Sequence, residues 1–274
     1  MKNYDDKTIA SFGDEWTKFD QSILNNEESI KIFNDYFNIF PWNKINISSE
    51  GFDMGCGSGR WARFILPKVG LLHCIDPSKA LEVAKKNLIS FNNTSFHNCI
   101  IEEVQLKPNS QDFGYSLGVL HHVPDTQKAI NSCVYYLKSG APLLIYLYYS
   151  FDNKPWWYRL IWKTSNILRK FISITPNFIK NIITDIIAIS IYYPIAKINK
   201  FLDKLGLKTT NFPLSYYKDH TFYTMRTDSR DRFGTPLEHR FSKKQINEML
   251  LRAGLVNIEF SDNAPFWCVV GYKE

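Results

Sequence analysis

The sequence predicts an α/β fold built on a seven-stranded, mostly parallel sheet. Short apolar runs alternate with helix-like segments between residues 51 and 149, and such alternation requires parallel strands joined by right-handed crossovers. The nearly continuous apolar run at 142–149 is typical of a strand buried on both faces. Two last runs are joined by only a few residues including Pro265, so we expect them to pair antiparallel.

Each element has a local signal. We expect the parallel strands at 51–54, 71–76, 95–101, 112–118 and 142–149. The connecting helices should run from about Arg60 to Leu66, from the cap Ser78 to Leu88, and from Asp125 or Thr126 up to Gly140, which ends the helix. After an insertion, Ser242 caps a helix that Gly254 closes, and the final strands follow at 255–260 and 267–272.

A glycine-rich turn, DMGCGSG at 53–59, follows the first strand. Glycine has no Cβ, so a ligand can lie against backbone amides at a helix N-terminus. Asp76 ends the next strand, 23 residues after Asp53, and suits a ribose diol. Arg60 stands where a dinucleotide fingerprint has its third glycine, and Asp53 would repel a pyrophosphate. The turn therefore predicts an adenosine-type cofactor with a cationic amino group rather than NAD.

This D-x-G-x-G-x-G pattern, with an acid on each side, resembles motif I of the class I S-adenosylmethionine-dependent methyltransferases. The resemblance covers about residues 50–150 and 240–274. It implies a Rossmann-like class I methyltransferase fold whose last strand is antiparallel, and S-adenosylmethionine as the cofactor. It also implies a cofactor-binding set: Asp53, Gly55, Cys56, Gly57, Gly59, Arg60, Trp61, Asp76, Pro77, Glu102, Glu103, Ser116 and Gly118. Ile101 departs from the pattern, because many relatives have glycine before the acid near the adenine.

The strip SLGVLHHVPD at 116–125 follows the fourth strand, where open α/β sheets place their ligands. It looks like the LHHV segment of small-molecule methyltransferases and lacks the [DN]PP[YFW] motif of nucleic-acid and protein amide methyltransferases. We therefore expect a small-molecule acceptor and no nucleic-acid partner. His121, His122 and His239 are the candidate catalytic bases, since histidine titrates near neutral pH. Alternatively, one histidine caps the following helix or hydrogen-bonds the core backbone. We expect no metal.

The chain also resembles, over nearly its full length, a narrower bacterial group often associated with surface-polysaccharide gene clusters. The matching segments are SFGDEW at 11–16, DMGCGSGRWARF at 53–64, YSLGVLHHVPDT at 115–126, YLYYSFDNKPWW at 146–157 and FYTMRTDSRDRFGTPLEHRF at 222–241. The last is polar, aromatic and without regular period, so we interpret it as an acceptor-binding loop. Its candidate substrate-binding residues are Tyr223, Arg226, Asp228, Arg232 and Arg240. The alternative is a salt-bridged surface loop.

Four segments follow from these patterns. Residues 1–47 should form a helical cap, because Phe12, Trp16 and later aromatics recur at roughly helical spacing. Residues 48–150 are the cofactor-binding core, 151–240 a helical insertion with a lid and the acceptor loop, and 241–274 a helix and hairpin that complete the core. The five cysteines form no CxxC pair and the N-terminus has no apolar signal region, so we expect free thiols and a cytoplasmic protein.

The insertion is unusual in composition. Between 151 and 205 it holds nine Lys or Arg, three Asp and three Trp, with an apolar run at 182–195 shorter than the roughly 20 residues that span a bilayer. We expect a lid whose apolar face is buried; the alternative is a segment lying in a membrane interface. The oligomeric state is not indicated.

These observations predict a methyltransferase that O-methylates a small polar acceptor, a sugar-type or phosphate-bearing precursor of a surface glycan. The alternatives are a methyltransferase of a lipid or quinone at the membrane surface, and an S-adenosylmethionine-binding protein without catalysis. An NAD-dependent enzyme is disfavoured by Asp53 and Arg60.

Overall fold

The computed structural model describes residues 2–274 and divides the chain into two compact units. The sheet unit comprises the residues up to Gln21, Ile30–Ser150 and Leu237–Glu274. The helical unit comprises Ser22–Ser29 and Phe151–Pro236.

A seven-stranded sheet with the order β3-β2-β1-β4-β5-β7-β6 forms the centre of the sheet unit. Its strands are β1 (Glu50–Met54), β2 (Leu71–Ile75), β3 (Thr94–His97), β4 (Phe113–Leu117), β5 (Pro142–Tyr146), β6 (Leu255–Phe260) and β7 (Cys268–Lys273). The first five are parallel, and β7 pairs antiparallel with both β5 and β6. The Rossmann-like α/β fold with an antiparallel end is therefore confirmed.

Two strands end earlier than the sequence predicts. β3 stops at His97 rather than near Ile101, because Asn98 turns away and donates its side-chain amide to the Asp76 carbonyl oxygen, 3.1 Å away. β5 stops at Tyr146, although the apolar run continues to Tyr149. The chain beyond β5 instead forms an isolated parallel bridge between Tyr149 and Phe241.

Several of the helices begin at a side chain that accepts one of their first amides. In the described residues the α-helices are α1 (Asp6–Lys18), α2 (Asn26–Phe37), α3 (Ala62–Ile65), α4 (Ala80–Asn87), α5 (Thr126–Tyr136), α6 (Trp156–Ser173), α7 (Asn177–Ile187), α8 (Tyr193–Lys204), α9 (Phe222–Gly234) and α10 (Lys243–Arg252). Asp125 caps α5 by accepting the Lys128 amide at 2.9 Å, and Ser242 forms a capping box with Gln245 on α10.

Apolar layers cover both faces of the sheet. On one face Ile130 and Cys133 of α5 and Leu250 of α10 pack with Ile145 of β5. On the other, α2, α3 and α4 contribute aromatic and aliphatic side chains that pack with Tyr115 of β4. Burial of this kind contributes about 25 cal/mol per Å2 of apolar surface, and it holds the carboxyl ends of the parallel strands in a fixed arrangement.

The helical unit contains α6 to α9, and it differs from the sequence prediction in two places. Residues 222–234 form α9 rather than a loop, because Thr221 caps the helix and its buried positions include Ser229 and Arg230, which leave no apolar period to recognise. A π-helical turn, Ala188–Tyr192, joins α7 and α8 into one helix, Asn177–Lys204. That helix has 28 residues, twice the apolar run that the sequence marks.

Candidate cofactor and acceptor site

The glycine-rich turn that follows β1 adopts backbone conformations that favour glycine, as its sequence predicts. Gly55 and Gly57 have φ values of +79° and +54°, in the left-handed region that favours glycine. The Gly55 amide donates to the Ile75 carbonyl oxygen at 2.8 Å, and a Cβ on Gly55 would run into the Val119 side chain. The turn is therefore held between β2 and the strip that follows β4.

Asp76, which follows β2, stabilises this turn through hydrogen bonds. One carboxylate oxygen accepts the Gly57 amide at 2.9 Å, and the other accepts the Ser78 amide and hydroxyl at 2.8 and 2.6 Å. Burial raises the pKa of this carboxyl, while the hydrogen bonds from Ser78 and Gly57 act against that rise. A carboxylate has about four acceptor positions. The oxygen that faces Gly57 therefore keeps capacity for a ribose hydroxyl.

Asp53 is the second acid of the turn, and its side chain is sealed inside the sheet unit with 1 % exposure. Its strand register places it opposite Tyr115 of β4. Burial raises the pKa of Asp53 to about 8, although the nearby Tyr115 side chain and the Arg60 charge act against that rise. The Asp53 carboxyl is therefore mostly protonated at neutral pH and sensitive to a nearby cation.

Buried polar atoms around the turn fit a ligand that carries amino and hydroxyl groups. One Asp53 carboxylate oxygen and the Ser58 hydroxyl are buried without a hydrogen-bond partner among the described residues. Such atoms are costly unless a ligand or water satisfies them. Gly118, at the end of β4, has φ +78°, and a Cβ there would meet no heavy atom within 4 Å. These features fit the amino group and ribose of S-adenosylmethionine.

Glu102, the acid predicted near the adenine, is fixed by the N-terminus of the chain. Asn3 donates to Glu102 at 2.8 Å and to the Asp125 carbonyl oxygen at 2.9 Å. The other Glu102 oxygen is buried without a hydrogen-bond partner in residues 2–274. Glu103 is exposed. The structure therefore favours Glu102 over Glu103 as the acid facing a bound adenine.

The other residues predicted to bind cofactor lie around the same turn. Cys56 and Trp61 are buried, and the Arg60 guanidinium lies 4.2 Å from the centre of the Trp61 ring. Ser116 donates its hydroxyl to the Met54 carbonyl oxygen at 2.8 Å, which ties β4 to β1. Pro77 is partly exposed beside Asp76. Gly59 completes the turn with φ +75°.

Helix α1 packs directly on the turn. A Cβ on Gly57 would lie 3.2 Å from the Trp16 indole nitrogen, and one on Gly13 would lie 3.3 Å from the Lys79 amide. The Phe12 ring meets the His122 ring edge to face, with 4.9 Å between centroids. Successive turns of one helix thus touch the glycine turn and the histidine strip, so both belong to one site.

The histidine strip forms a buried cluster after β4. His121 has 0 % exposure, and its ring centroid lies 3.9 Å from that of Tyr148 and 4.0 Å from that of His122. Neither His121 ring nitrogen hydrogen-bonds a residue that the structure describes. Burial, followed by the charges of His122, Arg240 and His239, lowers its pKa well below the usual value. His121 is therefore neutral at pH 7, with a lone pair on one of its two ring nitrogens.

His122 and His239 hold the cluster in place. The His122 ring bonds through Nδ1 to the Leu237 carbonyl oxygen at 2.6 Å, so the backbone-bonding alternative applies to this histidine. The His239 amide donates to the His121 carbonyl oxygen at 2.9 Å. These two hydrogen bonds hold segment 237–241 across the carboxyl end of β4.

Arg240 completes the cluster but is not available as a simple anion clamp. Its guanidinium donates to Glu238 at 2.8 Å and to the Tyr149 carbonyl oxygen at 3.2 Å, and it lies 4.9 Å from the centre of the Tyr148 ring. The Glu238 side chain is 1 % exposed, so the pair is buried. Glu238 neutralises the positive charge that an anionic acceptor would need.

The other predicted substrate-binding residues lie in the helical unit and are engaged there. Arg226 makes a bidentate ion pair with Asp185 at 3.0 and 2.9 Å. Asp228 accepts the Tyr217 hydroxyl at 2.8 Å, and Arg232 donates to the Ser165 hydroxyl at 3.3 Å. Tyr223 is partly exposed on the same helix, and its carbonyl oxygen accepts the Thr227 hydroxyl. The structure therefore favours the salt-bridged alternative for Arg226, and it places Asp228 and Arg232 in internal hydrogen bonds of a helix rather than in a loop.

Sequence reasoning missed several residues of the site. Phe12 and Trp16 are predicted only as part of the helical cap, although their segment 11–16 carries part of the resemblance. Asn3 gives no signal. Tyr115 and Tyr148 belong to matching segments of the resemblance, but nothing in the sequence marks them as site residues. Tyr115 and Tyr148 lie in or beside apolar runs, where a hydroxyl is indistinguishable from a packing residue.

Comparisons with known proteins agree with this geometry. Residues 52–145 match the family model described as a methyltransferase domain. A ubiquinone biosynthesis O-methyltransferase of Nitrosomonas europaea is 34 % identical over 92 residues, which are 32 % of this chain and 39 % of that protein. The chain thus spans about two fifths of the length of this curated relative.

Solved structures share the fold at low identity. The phosphoethanolamine N-methyltransferase 2 of Haemonchus contortus, in complex with S-adenosylhomocysteine, is 17 % identical with a TM-score of 0.52, over 94 % of this chain and 47 % of that one. A Bacillus halodurans protein provisionally described as a methyltransferase is 12 % identical with a TM-score of 0.50, over 84 % and 72 %. Residues 52–145 therefore match a methyltransferase domain, within a chain that has the Rossmann-like fold of these methyltransferase structures.

Proposed function

We propose that the chain transfers a methyl group from S-adenosylmethionine to a hydroxyl oxygen of a small acceptor, with His121 as general base. The observation that carries the proposal is the His121 ring. It is fully buried beside the histidine and tyrosine rings of the strip, and neither ring nitrogen is hydrogen-bonded within the described chain. An unsatisfied buried base at the carboxyl end of β4 is placed for proton abstraction from a ligand.

In this proposal, each residue of the candidate site has a separate role. When bound, S-adenosylmethionine supplies a methyl group already activated by its positive sulfur. Asp76 and Glu102 would orient the ribose and adenine, and Asp53 would face the amino group. His121 would take the hydroxyl proton as the acceptor oxygen attacks the methyl carbon, and the buried Glu238 would offset the charge that Arg240 brings to the cluster.

An aromatic hydroxyl, of a phenol or quinol type, is the acceptor class we favour. The surroundings of His121 are aromatic, with the rings of His122 and Tyr148 beside it, and such surroundings suit a flat acceptor. Arg226 and Arg240 each already hold a carboxylate, so the support for an anionic acceptor is weak. The curated relative, named for ubiquinone biosynthesis, supports the same class.

A sugar-type or phosphate-bearing precursor of a surface glycan is the second candidate. Its support is the resemblance carried by segments 146–157 and 222–241. The two candidates differ in polarity, so a competition between acceptors separates them.

Incubation of the purified chain with methyl-labelled S-adenosylmethionine tests the proposal, with a prenylated catechol and a sugar phosphate offered together. Label on the catechol oxygen is expected. His121→Gln should lower kcat by about 100- to 10,000-fold and leave S-adenosylhomocysteine affinity unchanged, since a positioned base contributes that much to rate. His220→Gln, in the helical unit, is the matched control. Label on the sugar phosphate alone would select the second candidate, and equal activity of His121→Gln would remove His121 as the base.

A further inference from the structure

In the helical unit, many large apolar side chains are exposed and several polar side chains are buried. Of the 26 large apolar residues that are exposed in the described chain, 19 lie between Trp156 and Phe212. In the same unit, the interior contains buried polar side chains beside a small apolar cluster that includes Ile172, Ile187 and Phe233. Thr184 and Arg230 have 0 % exposure, and Lys180 has 4 %.

Specific hydrogen bonds hold the polar faces of α7 and α9 together. Ser229 donates its hydroxyl to the Thr184 carbonyl oxygen at 2.8 Å, and Arg230 donates to the Asn181 side chain at 2.8 Å. One turn further along, Asp185 accepts the bidentate pair from Arg226. Because these partners are satisfied in the interior, rotating α7 to bury its apolar face would leave buried polar groups without partners. The outward apolar face is therefore part of the fold.

The exposed apolar residues form continuous stripes. On α6, Leu160, Ile167 and Phe171 lie on one face at helical spacing. On α7, Phe178, Ile182 and Ile186 are spaced by four residues, and all are more than half exposed. We call the exposed faces of α6, α7 and α8 the apolar helix surface. A soluble chain rarely exposes apolar surface of this extent without a partner.

Charge identifies the kind of partner. Residues 151–205 hold nine Lys or Arg and three Asp, an excess of six, and the whole chain has a net charge of +6. The remaining residues are therefore neutral in sum. Lys163, Lys170 and Lys204 form no ion pair with any residue that the structure describes, so their charges are available to anions. Exposed tryptophans at the start of α6 add side chains that favour the headgroup layer.

We infer that the apolar helix surface docks on an anionic phospholipid bilayer, with α6, α7 and α8 lying in the interface. Helices with an apolar face and flanking lysines insert about 5–10 Å into the headgroup boundary. Asn177–Lys204 is long and apolar enough to cross a membrane by length and composition. The polar stripe of Lys180, Asn181 and Asp185 along α7, packed on the charged helix α9, favours an orientation in the plane instead. The sequence expectation of a buried lid face is thereby replaced.

Flotation of the full-length chain with vesicles tests this inference. The chain should float with phosphatidylcholine vesicles containing about a third phosphatidylglycerol, and much less with phosphatidylcholine alone. Binding should weaken at least tenfold when salt rises from about 0.05 to 0.5 M, because screening shortens the reach of the lysines. This binding does not depend on the acceptor, so its failure is distinguishable from failure of the proposed methyl transfer.

Two sets of variants separate the charged from the apolar contribution. Lys163→Gln, Lys170→Gln and Lys204→Gln together should lower partitioning by about 100-fold at low salt. Phe171→Ser, Phe178→Ser and Phe201→Ser together should lower it at least tenfold at any salt. Ile89→Ser with Leu251→Ser, which removes exposed apolar residues of the sheet unit, is the matched control and should bind like the unmodified chain.

Other outcomes would overturn the inference. A chain that stays with the soluble fraction excludes bilayer docking, and a stable dimer by light scattering would then assign the surface to a second copy. Retention on vesicles after alkaline carbonate would indicate a spanning helix instead of an interfacial one. Equal loss of binding in the control pair would show a nonspecific effect. Helical circular dichroism and S-adenosylhomocysteine binding of each variant establish that both units are folded.

Discussion

Asp53 is an ionisable residue buried inside the sheet unit, where a charged group is energetically unfavourable. Its burial raises the pKa to about 8, so the free protein holds a proton there at neutral pH. The same carboxyl would face the amino group of the cofactor, whose charge favours the ionised acid. Cofactor binding and proton release should therefore be linked at this residue.

The linkage gives a calorimetric prediction. At pH 6.5 the Asp53 carboxyl is protonated and the cofactor amino group is charged, so binding of S-adenosylhomocysteine should release up to about one proton. Titrations in two buffers of different ionisation enthalpy measure this number. Asp53→Asn should release none. Release that is unaffected by Asp53→Asn would mean that another group titrates.

Single residues differed in how well sequence could assign them. The conformation of the glycine turn and the positions of Asp53 and Asp76 could be predicted because they depend on backbone conformation and strand ends, which local sequence specifies. Arg226 and Arg240 could not, since their partners are decided by folding. Asp185 lies 41 residues from Arg226 in the chain, and no sequence pattern marks that ion pair.

Helix α1 shows how an element can join two parts of a site. Its Gly13 permits close approach to the loop after β2, and Trp16 covers the glycine turn. The Arg60 guanidinium also lies 5.0 Å from the Trp16 ring. The cofactor turn is thus shielded by a helix that lies outside the matched domain at 52–145.

Removal of the Trp16 ring should expose this turn. Trp16→Ala is expected to weaken S-adenosylhomocysteine binding by about tenfold, through loss of the ring's packing and of its contact with Arg60. Isothermal titration measures the change, and Trp157→Ala on α6 is the matched tryptophan control. An unaltered affinity would show that α1 packs on the turn without supporting the ligand.

Among whole elements, apolar periodicity decided which could be predicted. The strands and α10 were placed within a few residues because each buries an apolar face. α9 was interpreted as a loop because its buried positions include Thr227, Ser229 and Arg230, so the pattern that identifies a helix is absent.

At the scale of the molecule, the chain combines two units with opposite surface character. The sheet unit has apolar layers on both faces of its sheet and contains all predicted cofactor residues. The helical unit buries polar side chains beside a small apolar cluster and exposes the apolar helix surface. The sequence showed the unusual composition of residues 151–205 but could not show which side of each helix faces outward, because that depends on the partners of Thr184 and Arg230.

This division predicts that cofactor binding by the sheet unit and vesicle binding by the helical unit are separable. Ser150 donates its amide to the Phe241 carbonyl oxygen at 2.9 Å, so the chain re-enters the sheet unit close to where it leaves. Replacing residues 151–236 with a Gly/Ser linker of about eight residues, which spans roughly 16 Å, should therefore leave the sheet intact.

The shortened chain is expected to bind S-adenosylhomocysteine within about tenfold of the full chain, because the turn, Asp76 and α1 remain. It should no longer float with anionic vesicles, because the apolar helix surface and its lysines are gone. Calorimetry and flotation measure the two properties on the same preparation. Loss of cofactor binding in a chain that keeps its near-ultraviolet circular dichroism would mean that the helical unit contributes to the cofactor site, and persistent vesicle binding would locate the membrane contact in the sheet unit.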